Sequence, residues 1–181
     1  MKWLIASDIH GSAFWCRKLL ENFEKEGADR LILLGDILYH GPRNPLPAEY
    51  DPAQVAAMLN AYAQRICCVQ GNCDSQVDQL VLDFPIMADY ALLNHESHLI
   101  FLTHGHTHNS DTPPGLHEGD VLIHGHTHVP CFLHKGGVRY MNPGSVSLPK
   151  EDTPHSYMSF EKGVFRWKDM DGCGYMEHEP W

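Results

Sequence analysis

Apolar residues are distributed along the chain in two textures. In the first half, Lys2 to Ser7 is a short apolar run that reads as a buried strand, and Phe14, Leu19, Leu20 and Phe23 then recur at helical spacing between about Ser12 and Lys25. Leu31 to Leu34 repeats the strand pattern. The turn-rich stretch from Tyr39 to Glu49 holds three prolines, after which Asp51 and Pro52 suit an N-cap and first helical residue for a helix reaching Arg65. Ile66 to Gln70 is the third strand. This alternation of strand and helix predicts parallel pairing with right-handed crossovers.

From about Ala88 the apolar runs become short: Tyr90 to Leu93, Leu99 to Thr103, Val121 to His124, Cys131 to Leu133, Val138 to Met141, Met158 to Phe160 and Val164 to Trp167. Turn signals such as Lys135-Gly136-Gly137 and Lys162-Gly163 separate them, so this half is mainly strands and hairpins. The prediction is an α/β fold in which two packed sheets carry flanking helices. The tail from Gly172 holds Tyr175, Met176 and Trp181, which suit either the edge of the domain or a neighbouring subunit of a homo-oligomer.

A length of 181 residues suits one domain, spanning 1–181, with a sizeable core. The first residues offer neither a secretory apolar region nor a membrane span, so a soluble cytoplasmic protein without membrane partners is expected. Six cysteines contain no CxxC pair and are expected as reduced thiols. The net charge of -10 argues against a stable nucleic-acid complex, which needs a basic stripe, and favours a small substrate. Local negative charge on such a substrate is readily met by bound divalent cations. Fourteen histidines, one more than Lys and Arg together, point the same way.

The polar motifs fall where β/α units bind ligands, just past the carboxyl ends of strands. Asp8 and His10 follow the first strand, Gly35-Asp36 the second, and Gly71-Asn72-Cys73-Asp74 the third. His-Gly-His-Thr-His occurs twice, at 104–108 and 124–128, each copy after an apolar strand. Singly, most of these are ordinary: Asp8 suits a helix N-cap, and Asn72 suits a backbone cap in a turn. Only His126-Thr127-His128 is specific by itself, since an i, i+2 pair at a strand end aims two imidazoles at one point. Together and in this order they suggest a metal centre.

Those five segments resemble the calcineurin-like metallophosphoesterases, whose pattern runs DxH, GD, GNH followed by Asp or Glu, a lone His, and GHxH. The resemblance covers positions 8 to 128, and Asn142-Pro143-Gly144-Ser145 beyond it is also familiar. Leu34-Gly35-Asp36 and Thr103-His104-Gly105-His106 are most like small bacterial phosphodiesterases of that family. The resemblance implies a four-layer αββα sandwich with two mixed β-sheets flanked by helices. It implies that Asp8, His10 and His128 bind one divalent metal and Asn72, His104 and His126 another, with Asp36 bridging the two. Such ligands suit Mn, Fe, Co, Ni or Zn, with Mn2+ preferred, and the absence of cysteine ligands argues against a structural zinc. Two cations about 3.5–4 Å apart acidify a shared water, so a metal-bound hydroxide is the expected nucleophile on a small phosphodiester.

Among the catalytic residues implied, Asn72, Cys73, Asp74 and His106, the departure is Cys73, which stands where the family has a histidine. A thiol with a reference pKa of about 8.5 is a poor donor and carries no positive charge, so a narrowed range of diesters with good leaving groups is expected. Asp74 then becomes a turn residue rather than the partner of that histidine. His106 either faces substrate or supports a ligand, whereas His108 and His124 read as ordinary loop and strand-end residues. Arg43 and the loop around it could reach an anionic substrate, although no spacing requires it. A metallo-β-lactamase-like site would need HxHxDH, and a P-loop would need Gly-Lys-Ser or Gly-Lys-Thr; neither is present. The remaining alternative is a non-catalytic metal-binding scaffold of the same fold, like one retromer subunit, and the complete set of seven ligands favours catalysis.

Overall fold

The computed structural model describes residues 1–181. Strands β1 (Lys2–Ala6), β2 (Arg30–Leu33) and β3 (Ile66–Cys68) pair in parallel, with Leu4 opposite Leu31 and Leu31 opposite Ile66. Helix α1 (Ala13–Lys25) makes the first crossover. Ser12 caps it through its hydroxyl, which accepts from the Trp15 amide, and Cys16, Leu19, Leu20 and Phe23 form its buried face. Phe14, the other apolar residue at helical spacing, is only partly buried.

Helix α2 (Pro52–Asn60) begins as predicted, with the Asp51 carboxylate accepting from the Gln54 amide and Pro52 in the first turn. It stops short of Arg65. Beyond Asn60 the backbone bonds change to i→i−3, Tyr62 to Leu59 and Arg65 to Tyr62, and Ala63–Arg65 forms a separate 3-10 turn. The Asn60 side chain is tied sideways to Val81 and Asp83, which turns the chain out of the helix. A short helix α3 (Gln76–Gln79) follows, closed by a Ser75–Asp78 capping box that the sequence reading omitted.

The second half contains β4 (Tyr90–His95), β5 (His98–Thr103), β6 (Val121–Ile123), β7 (Cys131–Lys135), β8 (Val138–Asn142), β9 (Ser156–Glu161), β10 (Val164–Asp169) and β11 (Gly174–His178). The tail thus supplies β11, an edge strand on β10. Two mixed sheets result, ordered β11-β10-β9-β1-β2-β3 and β4-β5-β6-β8-β7. Within the second sheet β5, β6 and β8 run parallel, so each sheet has a parallel trio.

Alternating burial divides the apolar residues among layers. Leu4, Ala6, Leu31 and Leu33 face α1 and α2, while Trp3, Ile5, Ile32 and Leu34 pack against Ile100, Leu102, Val121 and Ile123 of the other sheet. The far face of the second sheet holds Phe101, Leu122, Val138 and Tyr140, covered by loop residue Leu116. Helices α1 and α2 lie on the first sheet. No helix is long and apolar enough to cross a membrane.

Candidate metal centre

The carboxyl ends of both parallel trios point to one place, and the predicted ligands occupy the turns that leave them. Asp8 and His10 follow β1, Asp36 follows β2, Asn72 follows β3, His104 follows β5, and His126 and His128 follow β6. Backbone bonds lock the turns to one another: the Asp8 amide donates to Gly35 at 3.1 Å, the His10 amide to Asp36 at 2.9 Å, and the Gly125 amide to His104 at 2.8 Å. Asp8, His10, Asp36, His126 and His128 all have positive φ, between 50° and 66°. Non-glycine residues rarely take that conformation, and it recurs where side chains must be aimed.

Six of the seven residues are directly linked by their donor atoms. His128 Nε2 lies 3.2 Å from Asp8 Oδ1 and 3.3 Å from His10 Nε2, while His10 Nε2 is 3.5 Å from Asp8 Oδ1 and 3.7 Å from Asp36 Oδ2. His104 Nε2 is 3.4 Å from Asp36 Oδ2 and 2.9 Å from Asn72 Oδ1. His126 stands at the margin, its ring 5.1 Å from that of His104 and its amide donating to Asp8 Oδ2 at 3.0 Å.

Three of the imidazoles are oriented in the same way. Nδ1 of His10 donates to the Tyr39 carbonyl at 2.8 Å, Nδ1 of His104 to Leu34 at 2.7 Å, and Nδ1 of His128 to Leu148 at 2.6 Å. A carbonyl oxygen only accepts, so a proton sits on Nδ1 and the Nε2 atoms point inward, each able to hold a second proton or a metal ion. Those of His10 and His128 face each other, and buried Asp8 Oδ1 beside them accepts no hydrogen bond. Such atoms gathered around an unsatisfied carboxylate oxygen require positive charge between them. The residues therefore fit divalent cations.

The electrostatics agree. Burial pushes the Asp8 carboxyl up, but His10 and His128 outweigh it and hold the group well below its ordinary value. Asp36 is likewise lowered against its burial, chiefly by His104. Burial pulls His104 and His10 down, yet Asp36 raises His104 to about 9 and Asp8 raises His10. His126 and His106 are lowered by burial, then by the charge on His104. The centre thus stabilises ionised carboxylates and attracts positive charge, for which protons and metal ions compete.

The other predicted residues take distinct places. Asp74 is buried, with Oδ2 accepting from the amides of Asp36 and Gly71 at 2.8 and 2.7 Å and Oδ1 from Ile37 at 2.8 Å. It pins the Asp36 and Gly71 turns together, and burial pushes its carboxyl up despite these donors. Cys73 donates its amide to Asp36 Oδ1 at 2.8 Å, and burial followed by the Asp36 charge pushes its thiol to about 12. His106 is exposed, its ring 5.5 Å from His104 and 6.2 Å from His126. His124 is buried against Gly125 and Asn142, and His108 sits edge-on to Phe101.

A cleft of about 340 Å³ opens over the centre, lined by Asp36, Asn72, Cys73, His126 and His128 together with Arg43 and Lys150. The sequence reading did not single out Lys150. It also left the segment after β8 without a role. There Asn142 donates to the Gly125 carbonyl at 2.7 Å and to Thr127 Oγ1 at 3.0 Å, and Ser145 and Ser147 donate to the Asp8 carbonyl at 2.9 and 3.1 Å. The familiar Asn-Pro-Gly-Ser run was the available signal. The carbonyls of Leu34, Tyr39 and Leu148 had none, because any residue can supply a main-chain oxygen.

Residues 1–162 match the calcineurin-like phosphoesterase superfamily domain. The chain is 48% identical over 164 residues to phosphodiesterase YfcE of Escherichia coli, covering 91% of this chain and 89% of that one. A solved structure of the E. coli phosphoesterase YfcE superposes with a TM-score of 0.96 at 43% identity, covering 99% of each chain. Vacuolar protein sorting 29 from Cryptosporidium parvum shares the fold alone, with a TM-score of 0.61 at 18% identity over 98% of this chain and 97% of that one. With its ligand-bearing turns at the ends of two parallel trios and this match over most of its length, the chain belongs to the calcineurin-like phosphoesterase superfamily.

Proposed function

We propose that the chain is a cytoplasmic, metal-dependent hydrolase of small phosphodiesters, acting as a single domain over residues 1–181. The observation that carries this reading is the set of three imidazoles turned by main-chain carbonyls so that their Nε2 atoms surround Asp8 and Asp36. In this reading Asp8, His10 and His128 hold one divalent ion and Asn72, His104 and His126 a second, with Asp36 shared. When bound, such a pair lowers the pKa of a water and neutralises charge on phosphoryl oxygens. The mixed carboxylate, imidazole and amide donors suit the transition ions already named, of which we take manganese as the working ion. Similarity to an E. coli phosphodiesterase supports the substrate class, and six free cysteines are compatible with a reducing compartment.

The residues of the chain then position substrate and accommodate the leaving group. Asn72 projects its amide oxygen toward His104 and its Nδ2 toward Cys73 Sγ at 3.3 Å, so it ties the centre to the cleft wall. Cys73, held protonated by its surroundings, supplies a weak S–H donor and no nucleophile. Diesters of acidic alcohols, which leave without a proton, are therefore preferred. His106 offers a neutral imidazole at the exposed rim, and Asp74 acts on the Asp36 turn rather than on substrate.

Stripping the protein with a chelator and restoring manganese should remove and then recover hydrolysis of bis(p-nitrophenyl) phosphate. Asp36→Asn should lower kcat/KM by about 10³-fold or more, as expected for loss of a charge-stabilising group shared by both ions. Hydrolysis that survives Asp36→Asn, or manganese-loaded protein that leaves the diester intact, would favour the scaffold alternative.

A further inference from the structure

Seven of the thirteen Lys and Arg residues form ion pairs with carboxylates. Arg43 and Lys150 belong to the remainder, although the chain carries 23 acidic residues. Both are exposed, both line the cleft over the metal centre, and the one carboxylate in that lining is Asp36. Two unpaired cations lining one cleft of an acidic protein are complementary to an anion.

Their main chains are held in hydrogen-bonded turns. Arg43 sits in a turn closed by Asn44, whose amide donates to Gly41 at 3.3 Å and whose Nδ2 donates to His40 at 2.9 Å. That turn follows Tyr39, the residue whose carbonyl orients His10. Lys150 donates its own amide to the His128 carbonyl at 3.3 Å, its carbonyl accepts from Thr153 Oγ1 at 2.6 Å, and it follows Leu148, whose carbonyl orients His128. The same two loops that aim metal-binding imidazoles therefore also place the two cations.

A simple phosphodiester carries one negative charge, which the proposed ions already address. Two further cations suit a second phosphate, and Arg matches phosphate oxygens with two parallel N–H donors. The cleft lining contains no Phe, Tyr, Trp or branched aliphatic side chain on which a nucleobase would stack, and about 340 Å³ is at the small end for ligand sites. Building on the phosphodiesterase reading above, we propose that the cleft selects phosphodiesters of a short polyol that carries a second, terminal phosphate, held by Arg43 and Lys150.

The test uses the manganese-loaded protein and two chromogenic substrates that differ only in that group: p-nitrophenyl glyceryl phosphate and its derivative phosphorylated at the other end of the glycerol. In each, water adds to the diester phosphorus and the P–O bond to nitrophenolate breaks, releasing nitrophenolate, a proton and, respectively, glycerol phosphate or glycerol 1,3-bisphosphate. The phosphorylated substrate should have a kcat/KM about tenfold higher, mainly through KM. Arg43→Gln and Lys150→Gln should each reduce that ratio several-fold, and the double variant should bring it close to one. Equal losses on both substrates, no preference in the parent protein, or a stronger preference for thymidine p-nitrophenyl phosphate would overturn the proposal. Calorimetric binding of glycerol 1,3-bisphosphate, weakened about tenfold or more in the double variant, is read separately. If neither substrate is hydrolysed, the phosphodiesterase reading fails, and that binding measurement still decides the role of the two cations.

Discussion

Asp74 offers the sharpest test of how the ligand turns are held. Its carboxylate accepts from three main-chain amides, those of Asp36, Ile37 and Gly71, at 2.7–2.8 Å, and it is 6% exposed. Asp74→Ala leaves three buried donors without partners, each costing about 1–3 kcal/mol. Burial pushes the Asp74 carboxyl up, so deleting it also returns part of a desolvation cost, and the lower half of that range applies. The net loss is about 4 kcal/mol, a large fraction of the roughly 5–15 kcal/mol that holds a domain folded. For a chain of this length that corresponds to a fall in Tm of about 8–16 °C. Asp74→Asn keeps an acceptor for two of the amides and should lose about half as much. Thermal unfolding followed by circular dichroism, with chelator present so that metal contributes nothing, measures both. Released from Asp74, Asp36 should also leave its strained φ of 56°, and metal affinity should fall about tenfold or more. A loss below about 1 kcal/mol in Asp74→Ala, or an Asn variant weaker than the Ala variant, would refute the framework role.

Two further perturbations probe other parts of the frame. A Cβ at Gly125 would run into Ser7 Oγ and lie 2.7 Å from Asp8 Oδ2, so Gly125→Ala should lower stability by at least about 3 kcal/mol in chemical denaturation. Gly27→Ala is the control, because a Cβ there meets nothing within 4 Å and only its φ of +60° opposes the change, at a cost of about 1 kcal/mol. Glu26, just past α1, is raised by burial but lowered further by Lys2, Tyr157 and Lys168, so its folded pKa lies below the unfolded value of about 4.3. Its contribution is therefore complete above that unfolded pKa and disappears as pH falls through the folded pKa. Stability of Glu26→Gln, measured by urea unfolding from pH 6 to 3, should decline less steeply than that of the parent protein.

The strands of the first half were legible because each is a continuous apolar run followed by a polar motif, and β1, β2 and β3 pair as such runs do when both faces are covered. The start of α2 was legible from Asp51-Pro52, but its end was not, since the Asn60 tie to Val81 and Asp83 is a tertiary contact 21 and 23 residues away. Strand β11 escaped because only one of its two inward positions is apolar: Tyr175 and Glu177 are exposed, Met176 and His178 face inward, and a bulge at Trp167/Lys168 interrupts its pairing. At the centre, side-chain chemistry could be read while main-chain support could not. The motifs named Asp8, His10, Asp36, His104, His126 and His128, but nothing in Leu34, Tyr39 or Leu148 marks a carbonyl that fixes a tautomer.

The backbone explains why the ligands come as Asp8-Ile9-His10 and His126-Thr127-His128 rather than at another spacing. In both triplets the first and third residues have positive φ, 60° and 50° in one, 66° and 63° in the other. Both ends of each turn then project toward the centre while the middle residue points elsewhere, Ile9 into the core beneath α1 and Thr127 outward to accept from Asn142. Left-handed backbone costs about 1–3 kcal/mol at a non-glycine residue, with Asp and His among the more tolerant types. Five such residues, counting Asp36, amount to a strain comparable with the net stability of a domain. It persists because the surroundings over-determine it: Ser145 and Ser147 hold the Asp8 carbonyl, Asp74 holds the Asp36 amide, Asp8 holds the His126 amide and Leu148 holds the His128 ring. All of these partners are protein groups, so the frame itself aims the donor atoms at the place where positive charge is required.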